Sequence, residues 1–341
     1  MAKHIARGIV EFNSKPVVIG QAAVGGKFEH EGPLGRFLAE HFEDEHLDEK
    51  TWEQAESALQ RAAIRHAVKS AGCKADEIDL HIGGDLINQC TATSFALREE
   101  GIPFAGVYAA CGSFALGLAL AAMALDGCGL LRASSCGSSH FCAAEKQFRF
   151  PLELGVQTPP TAQRTATAAG ATVLARDCKQ EGLPRVSRAI FGRVVDYGVD
   201  DPSEMGAAMA PAAWDTLRRF LEGTDTKPGD YDCILTGDLG QIGARLFCEL
   251  AQKEAGLNIA RQHKDCGLML YDLEEQDVNM GGSGVGCSAA VVCADILPRL
   301  REGKLGRVLF LGTGALLSAI SPLQGESIPA IAHGVLLERG D

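Results

Sequence analysis

Two stretches of the chain show a helical pattern of apolar positions followed by a short apolar run. The first begins at Thr51, with Gln54 three residues later, and ends at Gly72. A threonine followed by glutamine at this spacing is typical of a helix start, and glycine of a helix end. The apolar face recurs at three- and four-residue spacing and comprises Ala55, Ala58, Leu59, Ala62 and Ala63. The pattern predicts an amphipathic helix over residues 51–72.

A second helix with the same character is predicted to end at Gly223. Its apolar face comprises Ala213, Trp214, Leu217, Phe220 and Leu221. Each helix precedes an apolar run that ends in Gly-Asp-Leu, DLHIGGDLINQ from Asp79 and DCILTGDLGQI from Asp232. Asp85 and Asp238 therefore occupy equivalent places, each after a predicted strand.

The repetition continues downstream of both Gly-Asp-Leu sequences. Cys111 precedes an apolar helical stretch that closes at Gly127 before the strand LLRASS, and Cys287 precedes one that closes at Gly303 before RVLFLGTG. Both cysteines lie 16 residues ahead of the closing glycine. The shared order predicts a duplicated α/β fold with two packed layers of mostly parallel strands, in halves of residues 1–200 and 201–341. Ligand sites in such folds form at the carboxyl ends of strands.

The uncharged run over residues 102–125 is long enough to cross a membrane. Pro103 and several glycines interrupt it, however, and much of the remainder is alanine. We therefore predict a short buried strand over Phe104–Tyr108, a turn around Cys111 and a buried core helix over Ser113–Leu125.

Composition narrows the class of protein. Hydrophobic residues make up 46% of the chain and charged residues 22%, which predicts a packed core. The net charge of −12 disfavours nucleic acid and anionic lipid as non-specific partners.

The N-terminus has no signal-peptide pattern, so we expect synthesis in the cytoplasm. The 12 cysteines contain no Cys-x-x-Cys pair, which predicts reduced thiols and no structural zinc site.

Cys111 is the strongest candidate for chemistry because it lies between a predicted strand and a buried helix. The positive end of the helix would favour a thiolate, as a nucleophile requires. The same position also suits binding of an anion without chemistry, or simple packing. Local sequence leaves these three interpretations open.

The duplicated pattern with this cysteine resembles the thiolase and ketoacyl-synthase superfamily. NMGGSGVGCSAAVV from Asn279 resembles the thiolase loop that ordinarily holds Gly-His-Pro. More closely, the chain resembles the stage V sporulation protein AD family. The matching stretches are EGPLG at Glu31, GDLINQ at Gly84, SSHF at Ser138, AEKQFRFP at Ala144, DPSEMGAAMAPAA at Asp201, YDCILTGDL at Tyr231, HKDCGLMLY at His263, REGKLGRVLFLGTGALLS at Arg301 and IPAIAHGV at Ile328.

The resemblance implies a thiolase-like fold in a layered α-β-α-β-α arrangement, and a homodimer. It also implies binding of dipicolinic acid (pyridine-2,6-dicarboxylate) during sporulation and germination, at the spore inner membrane, beside membrane proteins of the stage V sporulation A series. No cofactor and no metal ligand are expected. Loss of catalysis is expected because Asp238, Cys287 and Ile328 stand where the superfamily carries histidine or a second cysteine.

The predicted ligand-binding residues are Asp85, Cys111, His140, Asp238, Gly282, Ser283, Cys287 and His333. The acidic stretch over residues 43–49 is interpreted as a solvated face, not a metal site. His4, His30, His41, His46, His66 and His81 are interpreted as solvent or packing residues.

Charge raises a question about the ligand, since carboxylates repel the dipicolinate dianion by about 4 kcal/mol per charge pair at 4 Å. Calcium could relieve this repulsion, and we expect Asp85 to favour the calcium chelate.

Two alternative functions stay open: a condensing enzyme or thiolase-type acyltransferase that uses Cys111, and a purely structural subunit with an empty pocket.

Overall fold

The computed structural model describes residues 2–148 and 158–340, so Arg149–Pro151, the end of the AEKQFRFP stretch, lie outside the described residues. The strands are β1 (Lys3–Ala6), β2 (Ile9–Glu11), β3 (Val17–Gly26), β4 (Glu40–Phe42), β5 (Leu80–Asp85), β6 (Phe104–Gly106), β7 (Arg132–Ser139), β8 (Arg164–Thr165), β9 (Ala168–Ala175), β10 (Pro184–Ile190), β11 (Cys233–Thr236), β12 (His263–Asp265), β13 (Gly282–Ser283), β14 (Arg307–Ala315) and β15 (Ala330–Arg339).

The helices are α1 (Lys27–His30), α2 (Trp52–Ser70), α3 (Thr91–Glu100), α4 (Ser113–Gly127), α5 (Phe141–Phe148), α6 (Met205–Thr224), α7 (Gly240–Ala255), α8 (Cys266–Met269), α9 (Val285–Val291) and α10 (Leu297–Arg301). A π-helical turn, Val292–Ile296, joins α9 to α10. Single 3-10 turns occur at Gly35–Phe37, Ala75–Glu77, Asn88–Cys90, Pro202–Glu204, Pro228–Asp230 and Pro322–Gln324.

The main sheet contains the same five-strand unit twice. Its strand order is β12-β11-β14-β15-β10-β3-β9-β7-β5-β6. Read outward from the centre, β3-β9-β7-β5-β6 mirrors β10-β15-β14-β11-β12 in chain order as well as in position. A single register pair, Val17 with Arg185, joins the two units. The predicted duplication is confirmed by this topology.

The duplication extends to individual hydrogen bonds at the start of the repeated strands. Asp79 Oδ2 accepts from the N–H groups of Leu131 and Arg132 at 2.7 and 3.0 Å. Asp232 Oδ2 accepts in the same way from Gly306 and Arg307 at 2.7 and 2.9 Å. These two aspartates are the first residues of the repeated sequence motifs. Asp79 connects the start of β5 to the start of β7, and Asp232 connects the start of β11 to the start of β14.

Helices and sheet units form the predicted five layers. Helix α2 packs on β3, β9 and β7, while α6 packs on β15 and β14, so these two helices form the outer layers. Helices α4 and α9 pack between the two sheet units, and their side chains dominate the central core. The approach is close, since a Cβ on Gly170 of β9 would lie 2.2 Å from the Ala289 carbonyl oxygen of α9.

The central helix α4 explains the long uncharged run. The segment Ala110–Gly127 is long and apolar enough to cross a membrane, and 72% of it is buried inside the protein. A helix that is apolar all round fits a site between two sheet layers. The predicted core helix is confirmed and extends through Gly127.

Three details of the predicted fold are corrected. The sheet is mixed, not mostly parallel, because β9 and β15 run antiparallel to both of their neighbours. The strand β6 is exposed along its length because it is the outermost strand and pairs only with β5. Cys287 lies inside α9, whereas Cys111 precedes α4.

The proposed halves, residues 1–200 and 201–341, stay a prediction as domain boundaries. In the sheet, the second five-strand unit opens earlier, with β10. The helix predicted to end at Gly223 runs over Met205–Thr224. The first predicted helix is α2, whose N-cap Thr51 accepts a hydrogen bond from the Gln54 N–H at 3.2 Å.

Candidate functional site

Cys111 lies in a tight turn between β6 and α4. Ala110 has a left-handed backbone conformation with φ of 47°, and Cys111 is 4% exposed. The Ser113 hydroxyl closes the turn, because it accepts from the Ala109 N–H at 2.9 Å and donates to the Ala110 carbonyl at 2.7 Å. The thiol is thereby fixed at the start of the central helix.

Asp238, just after β11, lies next to the Cys111 thiol. Its Oδ1 accepts from the Thr313 hydroxyl at 2.8 Å. Its Oδ2 accepts from the Ser283 hydroxyl at 3.2 Å and the Gly284 N–H at 2.9 Å. The Cys111 thiol lies beside this carboxylate, close enough for each group to influence the pKa of the other. Asp238 therefore links both sheet units and the glycine-rich loop at one point.

The electrostatics of this pair keep the thiol protonated. Burial, followed by the nearby Asp238 charge, raises the pKa of Cys111 well above its ordinary value. Burial also raises the pKa of Asp238, against the lowering effect of its hydrogen-bond donors. A catalytic cysteine needs the opposite environment, one that lowers the thiol pKa. This environment therefore favours the protonated thiol over the thiolate.

A narrow pocket opens above Cys111, with a free volume of about 30 Å³ inside it. It is lined by Leu86, Tyr108, Ala110, Cys111, Ala144, Glu145, Phe148, Thr165, Met205, Ser283, Ala315 and Leu317. The walls are mainly apolar, and no lysine or arginine occurs among these described lining residues. This volume holds about one or two water molecules, so the pocket has to widen to admit a larger ligand. Its apolar walls with a few hydroxyl and thiol groups have the character of a small-molecule site.

Four of the predicted site residues are brought together here. Cys111 and Ser283 line the pocket, and Asp238 lies against both. Gly282 precedes Ser283 in β13, and a Cβ there would lie 3.0 Å from the Cys287 sulfur and from the Tyr271 ring. Cys287 is thus fully buried behind the glycine and is not among the lining residues.

Asp85, His140 and His333 lie outside this pocket lining and make other contacts. Asp85 accepts from the Thr93 N–H and hydroxyl at 2.8 and 2.6 Å and so caps α3. His140 Nε2 donates to the Glu45 carbonyl at 2.8 Å. His333 Nδ1 accepts from the Gly192 N–H at 3.2 Å. Ligand binding by all eight predicted residues stays a prediction.

Comparison with known proteins identifies the family of the chain. The family model described as Stage V sporulation protein AD matches residues 6–338. The Stage V sporulation protein AD of Bacillus subtilis (strain 168) is 40% identical over 325 residues, which cover 95% of each chain. The chain belongs to the stage V sporulation protein AD family. Its role is therefore in sporulation.

Solved structures with the same fold are condensing enzymes at low sequence identity. The 3-oxoacyl-[acyl-carrier-protein] synthase III of Aquifex aeolicus VF5 is 13% identical, with a TM-score of 0.58 over 95% of this chain and 99% of that chain. An OleA variant of Xanthomonas campestris is 14% identical, with a TM-score of 0.62 over 95% and 98%. These matches show that this member of the sporulation family has the thiolase-like fold, as predicted.

Several pocket residues were missed by the sequence analysis. Tyr108 was assigned to a strand without a role, although it is only three residues before Cys111. Thr165 lies in β8 and pairs with Ser283 of the glycine-rich loop, a contact between distant segments. Phe148 and Met205 reach the pocket from α5 and α6. Proximity to Cys111 was the available signal for Tyr108, whereas the other three carry none in the sequence.

A buried acid behind the glycine-rich loop was also missed. Glu29 is 1% exposed, and its Oε1 accepts from the Tyr271 hydroxyl and from the Thr167 N–H. Its Oε2 has no hydrogen-bond partner among the described residues. Burial raises the pKa of Glu29 to about 7. Tyr271 packs against Gly282, so this acid supports the wall that holds Asp238.

Proposed function

We propose that this chain binds dipicolinic acid in the Cys111 pocket without catalysis and supports its movement into or out of the spore. The observation that carries the proposal is the pairing of Cys111 with Asp238 at the base of an apolar pocket. A protonated thiol beside a buried carboxylate suits recognition of a ligand better than attack on a thioester. Family membership supports the sporulation context.

The character of the pocket favours a small aromatic ligand. Apolar surface for a pyridine ring is provided by Tyr108, Phe148, Leu86 and Leu317. The hydroxyl group of Thr165 can donate to a ligand carboxylate. This combination of apolar walls with a few polar groups is typical of small-molecule sites.

Charge favours a neutralised form of the ligand. Asp238 lies beneath the pocket, and no cationic side chain occurs among its described lining residues. The Asp238 carboxylate would repel a bare dianion, whereas the one-to-one calcium chelate is neutral. We therefore propose the calcium chelate as the preferred ligand. Asp85 is poorly placed to favour it, because its oxygens accept hydrogen bonds from α3 and from the Ile87 N–H at 3.1 Å.

The binding experiment uses calorimetry with dipicolinate on the purified full chain, once with excess calcium and once with a calcium chelator. We expect Cys111→Ala to weaken binding by a factor of roughly 5 to 150, because it removes about 1–3 kcal/mol of contact and polar interaction. Cys128→Ala, at an exposed cysteine, is the matched control and should bind like the wild type. Equal affinity of wild type and Cys111→Ala would place the ligand elsewhere.

Acyl transfer by Cys111 is the second candidate, favoured by the fold of the structural neighbours. It predicts a thioester adduct of the wild type, absent from Cys111→Ala, after incubation with acyl-coenzyme A and intact mass measurement. Our proposal expects no adduct. Absence of both an adduct and dipicolinate binding would instead favour a purely structural subunit with an empty pocket.

We also propose that the chain forms a homodimer through the exposed edge of β6. The free edge of an outermost strand offers unpaired backbone groups to a second strand. Exposed aromatic side chains surround it, with Phe104 37% and Phe95 48% exposed. Docking beside membrane proteins of the stage V sporulation A series, at the spore inner membrane, completes the proposed role.

Phe104→Asp is expected to convert the dimer into a monomer in light-scattering measurements after gel filtration. A charge at the centre of a strand-to-strand interface loses its water without gaining a partner. Leu131→Asp is the control, because Leu131 is 65% exposed and immediately precedes β7. A Phe104→Asp variant with the mass of the wild-type assembly would exclude β6 as the interface.

A further inference from the structure

Three potential metal ligands converge beside the pocket wall, in a group that we name the Glu45 cluster: Glu45, His140 and Cys142. Glu45 lies in a surface turn, His140 directly follows β7, and Cys142 lies in the first turn of α5. One ligand atom from each residue lies within 4.8 Å of the other two. Two distant segments of the chain, the Glu45 turn and the junction between β7 and α5, thus bring nitrogen, sulfur and oxygen donors to one point.

The distances approach those of a metal centre. His140 Nε2 lies 3.5 Å from Glu45 Oε2 and 2.8 Å from the Glu45 carbonyl oxygen. Ligand atoms around a tetrahedral zinc ion lie about 3.3–3.8 Å apart, given metal–ligand bonds of about 2.0–2.3 Å. The histidine and carboxylate already have this spacing, and the thiol has to approach by at most about 1 Å.

The surroundings support a binding role for this cluster. The Thr167 hydroxyl donates to Glu45 Oε2 at 3.1 Å and orients the carboxylate, as outer contacts of metal ligands commonly do. His140 is fully buried and Cys142 is nearly so, while Glu45 remains partly exposed and gives an entry route.

We propose that the Glu45 cluster binds a divalent transition-metal ion of the zinc class, with water or the Glu45 carbonyl oxygen as the fourth ligand. Thiolate and imidazole select zinc-like ions over calcium, which takes oxygen ligands. The thiolate and carboxylate together balance the charge of a divalent ion. The sequence analysis interpreted the stretch around Glu45 as a solvated face, so this inference replaces that interpretation.

Binding requires two proton adjustments. The Cys142 thiol loses its proton to solvent as the metal–sulfur bond forms. The His140 ring proton moves through solvent from Nε2 to Nδ1. This transfer breaks the hydrogen bond between Nε2 and the Glu45 carbonyl. The Ala143 N–H contact to Nδ1, 3.4 Å long, is also lost, and at that length it contributes little. One proton is released for each ion bound.

Occupancy would fix the turn that carries Glu45 to the start of α5. That helix provides Ala144, Glu145 and Phe148 to the Cys111 pocket. A bound ion would therefore stiffen one wall of the pocket without touching a ligand inside it. The inference is independent of the proposed function, since it concerns different donor atoms.

The test measures zinc and cobalt binding to the metal-stripped full chain. We expect one zinc ion per chain after dialysis and, with cobalt, a near-ultraviolet thiolate-to-cobalt charge-transfer band. Cys142→Ser should abolish the band and weaken zinc binding more than tenfold, and Glu45→Gln should weaken it without unfolding a surface turn. Cys248→Ser is the matched control, because the Cys248 sulfur also lies beside a histidine, 3.6 Å from His263 Nδ1.

Three results of these measurements would overturn the proposal. A folded wild-type chain that retains no zinc and shows no cobalt band would overturn the proposal. So would a band that survives in Cys142→Ser and disappears in Cys248→Ser. If Cys142→Ser does not fold, unchanged zinc affinity of Glu45→Gln would also overturn it.

Discussion

Asp85→Ala is expected to lower the free energy of unfolding by about 3–4 kcal/mol, measured by urea denaturation at neutral pH. Asp85 is fully buried, and its carboxylate accepts hydrogen bonds from the Ile87 N–H, the Thr93 N–H and the Thr93 hydroxyl. Alanine leaves these three donors without a partner in the protein interior. An unsatisfied buried donor costs about 1–3 kcal/mol.

Asp265→Ala is the matched variant in the second sheet unit. Asp265 is buried at the end of β12 and accepts from the Thr236 hydroxyl at 2.6 Å and the Leu239 and Gly240 N–H groups at 2.8 and 3.1 Å. It caps α7 as Asp85 caps α3, so we expect a loss of similar size. Asp177→Ala, at a side chain that is 86% exposed, is the control and should change stability little.

Asp85→Ala also tests the sequence-based prediction that Asp85 binds the ligand. A ligand contact would lose affinity for dipicolinate while the unfolding transition stayed at its wild-type position. A wild-type transition in Asp85→Ala would therefore contradict the capping role and restore Asp85 as a candidate ligand residue.

The equivalence of Asp85 and Asp238 shows where sequence reasoning stops. Both follow a strand in Gly-Asp-Leu, and the repeat places them correctly in the fold. In the first unit Asp85 itself caps the following helix through Thr93. In the second unit Asp265, on the neighbouring strand, takes that task, which leaves Asp238 to meet Cys111 and Ser283. The difference depends on contacts between segments that no local motif records.

The order of elements was predictable because it rests on local patterns. Helical spacing in α2 and α6 and the repeated aspartates Asp79 and Asp232 each mark their element directly. Strand direction and edge position were not predictable, because they depend on which strands become neighbours. The apolar composition of β6 suggested burial, yet the end of the sheet leaves Phe104 partly in contact with solvent.

The candidate site also contains one residue that local sequence could predict and others that it could not. Cys111 was identified from its place between a strand and an apolar helix, a purely local signal. His140 directly follows β7 and His333 lies within β15, and the rings of both contact backbone groups outside the pocket lining. Orientation of a ring depends on its packing partners, here the turn at Glu45 and the Gly192 N–H. Those partners lie far away in the sequence.

Glu29→Gln is expected to change how stability depends on pH. Burial raises the pKa of Glu29 from 4.5 to about 7, against the lowering effects of the Tyr271 hydroxyl, the Arg164 charge and the Thr167 N–H. The folded state therefore holds a proton that the unfolded state has lost between about pH 4.5 and 7. Stability must fall as pH rises through this window, by about 3 kcal/mol from this one group.

Glutamine keeps an oxygen for Tyr271 and Thr167 but carries no ionisable proton. Its stability relative to the wild type should thus rise by about 3 kcal/mol between pH 5 and 8, measured by urea denaturation at several pH values. Tyr271→Phe is the companion variant. It removes the hydroxyl that favours the ionised carboxylate, so the window should extend to higher pH. Parallel pH profiles of wild type and Glu29→Gln would show that Glu29 keeps the same charge in the folded and unfolded states.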